Sequence, residues 1–194
     1  YSVSGIKKFN GDSFSDIAIG ASGASQVNGV VYVLYGRNTS ISAVDFVGFT
    51  SSSIGFRIVG QSLGHLGESV ANAGDINDDS FDDLIMGAPA ISNSAGVGVI
   101  LLGRSEAFSE VSMSELSAST MGFKVTGSST GDRLSTSVGG NVDINGDGYM
   151  DFLIGAEGAD TINRSNSGVT YAIFGGPAFS TSTPSPTCNP SKVP

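Results

Sequence analysis

One unit of about 67 residues is written three times along this chain of 194. Residues 16–22 read Asp-Ile-Ala-Ile-Gly-Ala-Ser, residues 83–89 read Asp-Leu-Ile-Met-Gly-Ala-Pro, and residues 151–157 read Asp-Phe-Leu-Ile-Gly-Ala-Glu. Asp16, Asp83 and Asp151 are separated by 67 and 68 residues. A second landmark keeps the same period: Gly55-Phe56-Arg57-Ile58-Val59-Gly60 returns as Gly122-Phe123-Lys124-Val125-Thr126-Gly127. Repeats of this length are supersecondary units that bury their apolar faces only against neighbours, so the period fixes the architecture before any single element is assigned.

Inside each unit the apolar runs are short and end in glycine. Val30 to Tyr35 stops at Gly36, Val97 to Leu102 at Gly103, and Val169 to Phe174 at Gly175. Such runs, rich in Val, Ile, Tyr and Phe, are strands, and their unbroken apolarity predicts cover on both faces. In the middle unit four strands are expected, at about 68–76, 82–88, 96–103 and 122–127. Four-stranded antiparallel sheets stacked face to face around an axis make a β-propeller. The fold class is therefore all-β, with three blades at about 1–60, 61–127 and 128–177 that stay open within one chain. The third blade has no Gly-Phe segment after Gly175 and lacks its outer strand. Residues 37–53 and 104–121 are Ser-rich connections, and the spacing over 105–116 allows a short helix.

Five of the six prolines lie from Pro177 onward, so residues 178–194 read as an extended Ser/Thr/Pro-rich tail and not a fourth strand. A net charge of −9 with nine Lys plus Arg gives no grip on phosphate backbones or anionic lipid. No apolar run reaches the roughly 20 residues a membrane-spanning helix needs. The one cysteine, Cys188, rules out an internal disulfide framework. Asn38-Thr39-Ser40 and Asn163-Arg164-Ser165 are N-linked glycosylation triplets in expected loops.

The chemistry concentrates between the first two strands of each unit. Residues 143–151 read Asp-Ile-Asn-Gly-Asp-Gly-Tyr-Met-Asp. Calcium takes six to eight hard oxygens, and alternate residues of a tight loop can supply them. Asp143, Asn145, Asp147 and Asp151 offer side chains and Tyr149 its carbonyl; in the second unit the order repeats as Asp75, Asn77, Asp79, the Phe81 carbonyl and Asp83. An EF-hand is excluded, because its twelfth position needs a bidentate Glu and this chain has Met86 and Ile154 there. The first unit departs: its loop has Lys8, Asn10, Asp12, the Phe14 carbonyl and Asp16. The expectation is a degenerate, metal-free loop in which the Lys8 ammonium takes the cation's place.

Gly-Phe-x-x-x-Gly, the acidic loop, Asp-Leu-x-x-Gly-Ala-Pro and the Gly-ended third strand together resemble the FG-GAP repeat of integrin alpha-subunit propellers, over residues 1 to about 177. The resemblance implies a propeller with Ca2+ in the hairpin loops, held by Asp75, Asn77, Asp79, Phe81, Asp83, Asp143, Asn145, Asp147, Tyr149 and Asp151, and a secreted or cell-surface setting. Family propellers close with about seven blades, and this chain has three.

Catalysis is not expected. The chain has one histidine, His65, in a Ser-Leu-Gly-His-Leu-Gly turn, one cysteine, and no Ser-His-Asp set. Two roles remain. Open blade faces predict self-assembly into a ring or filament, with the third blade docking on the first blade of the next copy. The alternative is an adhesion or ligand-binding fragment of a longer integrin-like propeller, with further blades or a protein or glycan ligand as partner. Neither involves nucleic acid or membrane insertion.

Overall fold

The strands form because β-branched and aromatic residues alternate with residues buried on the opposite face, and most strands stop at or near a glycine or at an acidic turn. In the computed structural model, which describes residues 1–40, 43–49, 51–117, 121–160, 165 and 167–179, these strands make three antiparallel sheets. The first contains β1 (Ser2–Ile6), β2 (Asp16–Ala21), β3 (Val30–Leu34), β4 (Ser51–Ser52) and β5 (Gly55–Val59). The second contains β6 (Val70–Gly74), β7 (Asp83–Ala88), β8 (Val97–Leu101) and β10 (Gly122–Thr126). The third contains β11 (Leu134–Val142), β12 (Asp151–Ala156) and β13 (Val169–Ile173).

Each sheet runs as a meander: β1-β2-β3-β5, then β6-β7-β8-β10, then β11-β12-β13. The four strands expected in the middle unit are present in the expected order, and the described residues give the third sheet no fourth strand. Residues 105–116 form no α-helix. Val111–Ser112 is instead a two-residue strand, β9, followed by a 3-10 turn at Glu115–Ser117. β9 leaves its own sheet and pairs in parallel with β5 of the preceding one, through Ile58↔Val111 and Val59↔Ser112.

Two cores lie between the three sheets. The first joins Ala18, Val31, Val33, Phe56 and Ile58 of blade 1 to Leu84, Met86, Val97, Val99 and Leu101 of blade 2. Phe108, from the connection after β8, reaches back into it and stacks on Phe56 at 4.6 Å and on Phe9 at 5.5 Å. The second core joins Ile85, Ile100, Phe123 and Val125 of blade 2 to Phe152, Ile154 and Ala156 of blade 3. Successive side chains on one strand serve different cores, which is why β7 is buried at every position.

The glycine that closes the Asp-x-x-x-Gly signature makes this stacking close. A Cβ on Gly20 would sit 2.2 Å from the Gly67 carbonyl oxygen, and one on Gly87 would sit 2.1 Å from that of Ser135. Ser135 is fully buried at that crossing; its hydroxyl donates to the Val97 carbonyl at 2.7 Å and accepts the Ala88 N–H at 3.1 Å. The connection before the third strand of blades 1 and 2 contains a feature the sequence pattern does not reveal. Ser25, Gln26 and Val27, and again Ser92, Asn93 and Ser94, take left-handed φ values between 54° and 64°.

The acidic hairpin loops as a candidate cation site

Each acidic loop joins the first two strands of a blade, and the second and third share one pattern of hydrogen bonds. In the second loop Asp75 accepts the N–H groups of Asp79 (3.0 Å) and Ser80 (2.8 Å), while Asp79 accepts that of Phe81 (2.9 Å). In the third, Asp143 accepts the N–H groups of Gly146 (2.7 Å), Asp147 (3.2 Å) and Gly148 (2.9 Å), and Asp147 that of Tyr149 (3.0 Å). Asn77 donates to Asp79, and Asn145 to Asp147. These short polar side chains fold the loop on their own N–H groups, as Asp and Asn commonly do in turns. Gly148 supplies the left-handed turn at φ 96°, and Ser80 adopts φ 75° in the same place despite its side chain.

The last aspartate of each loop does more than the ligand pattern predicts. Asp16, Asp83 and Asp151 are fully buried, and each accepts the N–H of the glycine that ends the third strand of its blade: Gly36 at 2.9 Å, Gly103 at 2.9 Å and Gly175 at 2.8 Å. The other carboxylate oxygen takes the N–H of Ile76 at 3.0 Å in the second blade and of Ile144 at 2.8 Å in the third. In the first blade that oxygen, Asp16 Oδ2, has no partner.

Burial sets the electrostatics. It pushes the Asp83 carboxyl well above the ordinary carboxylate range, with the charges of Asp79 and Asp75 adding to it. Asp16 is raised to about 6 by burial first and by Asp12. The first loop keeps the inner geometry of the others, with Asn10 donating to Asp12 at 2.9 Å and Asp12 accepting the Phe14 N–H at 2.7 Å. Lys8, however, does not take the cation's place. It is exposed, and the ion pairs of the described residues join Arg57 to Glu110, His65 to Glu68, and Arg133 to Glu68 and Glu157. The ammonium is solvated, and its backbone carbonyl instead accepts the Asp82 N–H at 3.2 Å.

Among the described residues no three His, Cys, Asp or Glu side chains come together as a metal-binding group. Much of each carboxylate is turned to the N–H groups of its own loop. The donor set nonetheless fits a hard cation. Asn77 Oδ1 is buried with no hydrogen-bond partner, and an ionised carboxylate oxygen that accepts one N–H keeps a second lone pair.

A family model described as FG-GAP repeat matches residues 9–34, 66–101 and 136–173, more than half of the chain, including the second and third acidic loops whole and the first from Phe9 onward. The chain belongs to the FG-GAP repeat family. Its blades are similar to integrin alpha-4 of Xenopus laevis, 30% identical over 149 residues, which is 76% of this chain and 13% of that protein. They are similar also to integrin alpha-PS5 of Drosophila melanogaster, 28% over 157 residues, and to integrin alpha-5 of Xenopus laevis, 29% over 169 residues. Those matches cover 79% and 83% of this chain but only 14% and 15% of the relatives. The chain thus spans a small part of the integrin-like proteins it matches, and it is an FG-GAP, integrin-alpha-like set of propeller blades.

Around these FG-GAP blades the other singled-out residues are dispersed. Asn38 is exposed in the connection after β3. Asn163, Cys188 and the tail from residue 180 lie outside the described residues. His65 is 4.0 Å from Glu68 in a surface turn. No helix among the described residues is long and apolar enough to cross a membrane. Sequence reasoning missed Asn72 and Asp82. The Asp82 carboxylate accepts from the Asn72 amide at 2.9 Å and from the Lys7 N–H at 3.2 Å, tying the first loop to the second blade.

Proposed function

We propose that this chain is a non-catalytic, calcium-stabilised propeller segment of an extracellular adhesion or ligand-binding protein. The observation that carries this reading is the unpartnered, buried Asn77 Oδ1 within a loop whose other oxygens are carboxylates crowded against Asp83. A cation there would satisfy the amide oxygen and offset the repulsion among Asp75, Asp79 and Asp83. Asp75, Asn77, Asp79, Asp83 and the Phe81 carbonyl would hold one Ca2+; Asp143, Asn145, Asp147, Asp151 and the Tyr149 carbonyl would hold another. The first loop, with Lys8 at its head, would hold none. The clustered carboxylates serve the loops and leave no free acid and base pair for chemistry, and exposed Asn38 fits a glycan acceptor in a secreted setting.

A second reading, association through an open blade face, is favoured by one observation: Val3 is 71% and Ile17 48% exposed on the outer face of blade 1. A head-to-tail filament gains less support. The far face of blade 3 carries Ser137, Gly155 and Thr170 beside Leu153 and Ala172, a poorer apolar surface than the one it would meet.

Calcium titration by calorimetry tests the main reading. Two binding events, lost in a chain carrying Asp79→Ala and Asp147→Ala, are expected. No heat, together with an unchanged melting temperature in excess chelator, would overturn it.

A further inference from the structure

Phe179 sets the course of the chain beyond it. Its ring stacks on Phe123 at 4.9 Å, as that of Phe108 stacks on Phe56 at 4.6 Å, and Phe56 and Phe123 are the same position of two blades. Both aromatics follow the same anchor. The Arg104 N–H donates to the Phe9 carbonyl at 3.0 Å, and the Gly176 N–H donates to the counterpart of that carbonyl, on Ile76, at 2.8 Å. Beyond Phe108 the chain adds Val111–Ser112 to β5, and the Met113 N–H donates to the Val59 carbonyl at 2.9 Å. At the same offsets beyond Phe179 stand Ser182, Thr183 and Pro184.

The contact between blades 2 and 3 is unfilled where such a segment would lie. A cavity of about 180 Å³ there has Thr126, Leu134, Ala156 and Tyr171 in its lining. Thr126 is the counterpart of Val59; the other three are those of Leu66, Ala88 and Val99, which share one core cluster with Met113 and Leu116. Burial agrees. On the blade 2 face turned to blade 1, Val97, Val99 and Leu101 are 5%, 0% and 0% exposed, whereas Val169, Tyr171 and Ile173 on the same face of blade 3 are only half-buried. β10 is the end strand of its sheet, and no strand among the described residues pairs with its outer edge.

We propose that the chain's own Ser/Thr/Pro segment occupies this cavity: Ser182 and Thr183 add in parallel to the outer edge of β10 beside Val125 and Thr126, and the Pro184 ring enters against Leu134, Ala156 and Tyr171. Residues 180–191 carry no charged side chain, so nothing in the segment resists burial. Proline suits the position of Met113. Its ring is apolar and its φ is already that of an extended chain, and Thr126, whose carbonyl goes without the donor a proline lacks, is exposed. The segment so placed is a clasp that ties blade 3 to blade 2 and shields the edge of β10 from foreign strands.

Amide hydrogen exchange in the full chain, read residue by residue by NMR, tests this, with Ser191 and Lys192 as the reference for unprotected amides. Ser182 and Thr183 are expected to exchange about tenfold more slowly than that reference or slower still, because sheet amides open far less often than those of a free chain. Pro184→Asp, which puts a charge into an apolar cavity, should restore fast exchange. Pro186→Asp should leave it slow, since its counterpart Glu115 is exposed. The Ile85 amide, in the core of blade 2, should exchange alike in all three chains, which separates loss of the clasp from loss of the fold. Fast exchange at Ser182 and Thr183 in the parent chain overturns the proposal, as does protection that survives Pro184→Asp or that Pro186→Asp removes. Protection that fades on dilution overturns it too, because the occupant is then the same segment of a second copy.

Discussion

Asp83 Oδ1 accepts the N–H of Gly103 at 2.9 Å, across 20 residues of sequence, so the last residue of an acidic loop also fastens the end of the third strand. The same tie joins Asp16 to Gly36 and Asp151 to Gly175. The aspartate that recurs in all three units, including the unit whose loop begins with Lys8, thus serves the sheet in each of them.

Asp83→Asn should be costly without any cation present. Both Asp83 oxygens accept buried N–H groups, and an amide replaces one acceptor with a donor pointed at another donor. Leaving a buried donor unsatisfied costs about 1–3 kcal/mol, and the melting temperature in chelator should fall accordingly. An Asp83→Asn chain that melts like the parent would show that the tie carries no stability.

Acidification should strengthen the first blade. Burial and Asp12 raise Asp16 from 3.8 to about 6, so the folded state holds that proton more tightly than the unfolded chain does. Its contribution is fully present below the unfolded value and is lost as pH rises through about 6. Asp16→Asn keeps an acceptor for the Gly36 N–H and removes the titration. Urea midpoints from about pH 4 to about pH 7 should show the parent losing on the order of 2–3 kcal/mol relative to Asp16→Asn. Parallel pH profiles for the two chains would contradict this.

Calcium should act through the second and third loops alone. Saturation at about 100 times Kd adds about 2.7 kcal/mol per site, which differential scanning calorimetry reads as a higher melting temperature. Asn77→Ala should remove about half of the gain and Lys8→Ala none of it. A loss of the gain on Lys8→Ala would assign the cation to the wrong loops.

Three glycine substitutions separate crowding from conformation. Gly87→Ala drives a methyl to 2.1 Å from the Ser135 carbonyl oxygen, at a backbone crossing that cannot yield, and should cost about 1–3 kcal/mol or more. Gly146→Ala meets open space but at φ 76°, and should cost about 1 kcal/mol. Gly139→Ala, with neither restraint, should be nearly neutral in chemical denaturation. Equal effects at all three would refute the account of blade stacking.

The blades were legible because their signal is repeated: Asp16, Asp83 and Asp151 fix a register, and strands such as Val97–Leu101 are apolar at every position. The loops were legible as acidic hairpins between the first two strands of each blade but not in their bonding. Lys8 is a charge in a ligand position, which suggests a counter-ion role, yet a lysine with a flexible stem gains more from water than from a partly closed loop. β9 could not be read, since two residues carry no period and its partner lies on another sheet. The left-handed runs at Ser25–Val27 and Ser92–Ser94 contain no glycine to mark them.

The parallel addition of Val111–Ser112 to β5 has a consequence for how the chain comes off the ribosome. The edge of the first sheet is finished by residues made about 50 positions later, a delay of some seconds at about 5–20 residues per second. Until then the nascent first blade carries an open edge and an uncovered Phe56, and the stacking of Phe108 on that ring arrives in the same stretch of synthesis. Blade 1 is thus closed by its successor, so a chain stalled or truncated before Phe108 exposes it to chaperones and proteases.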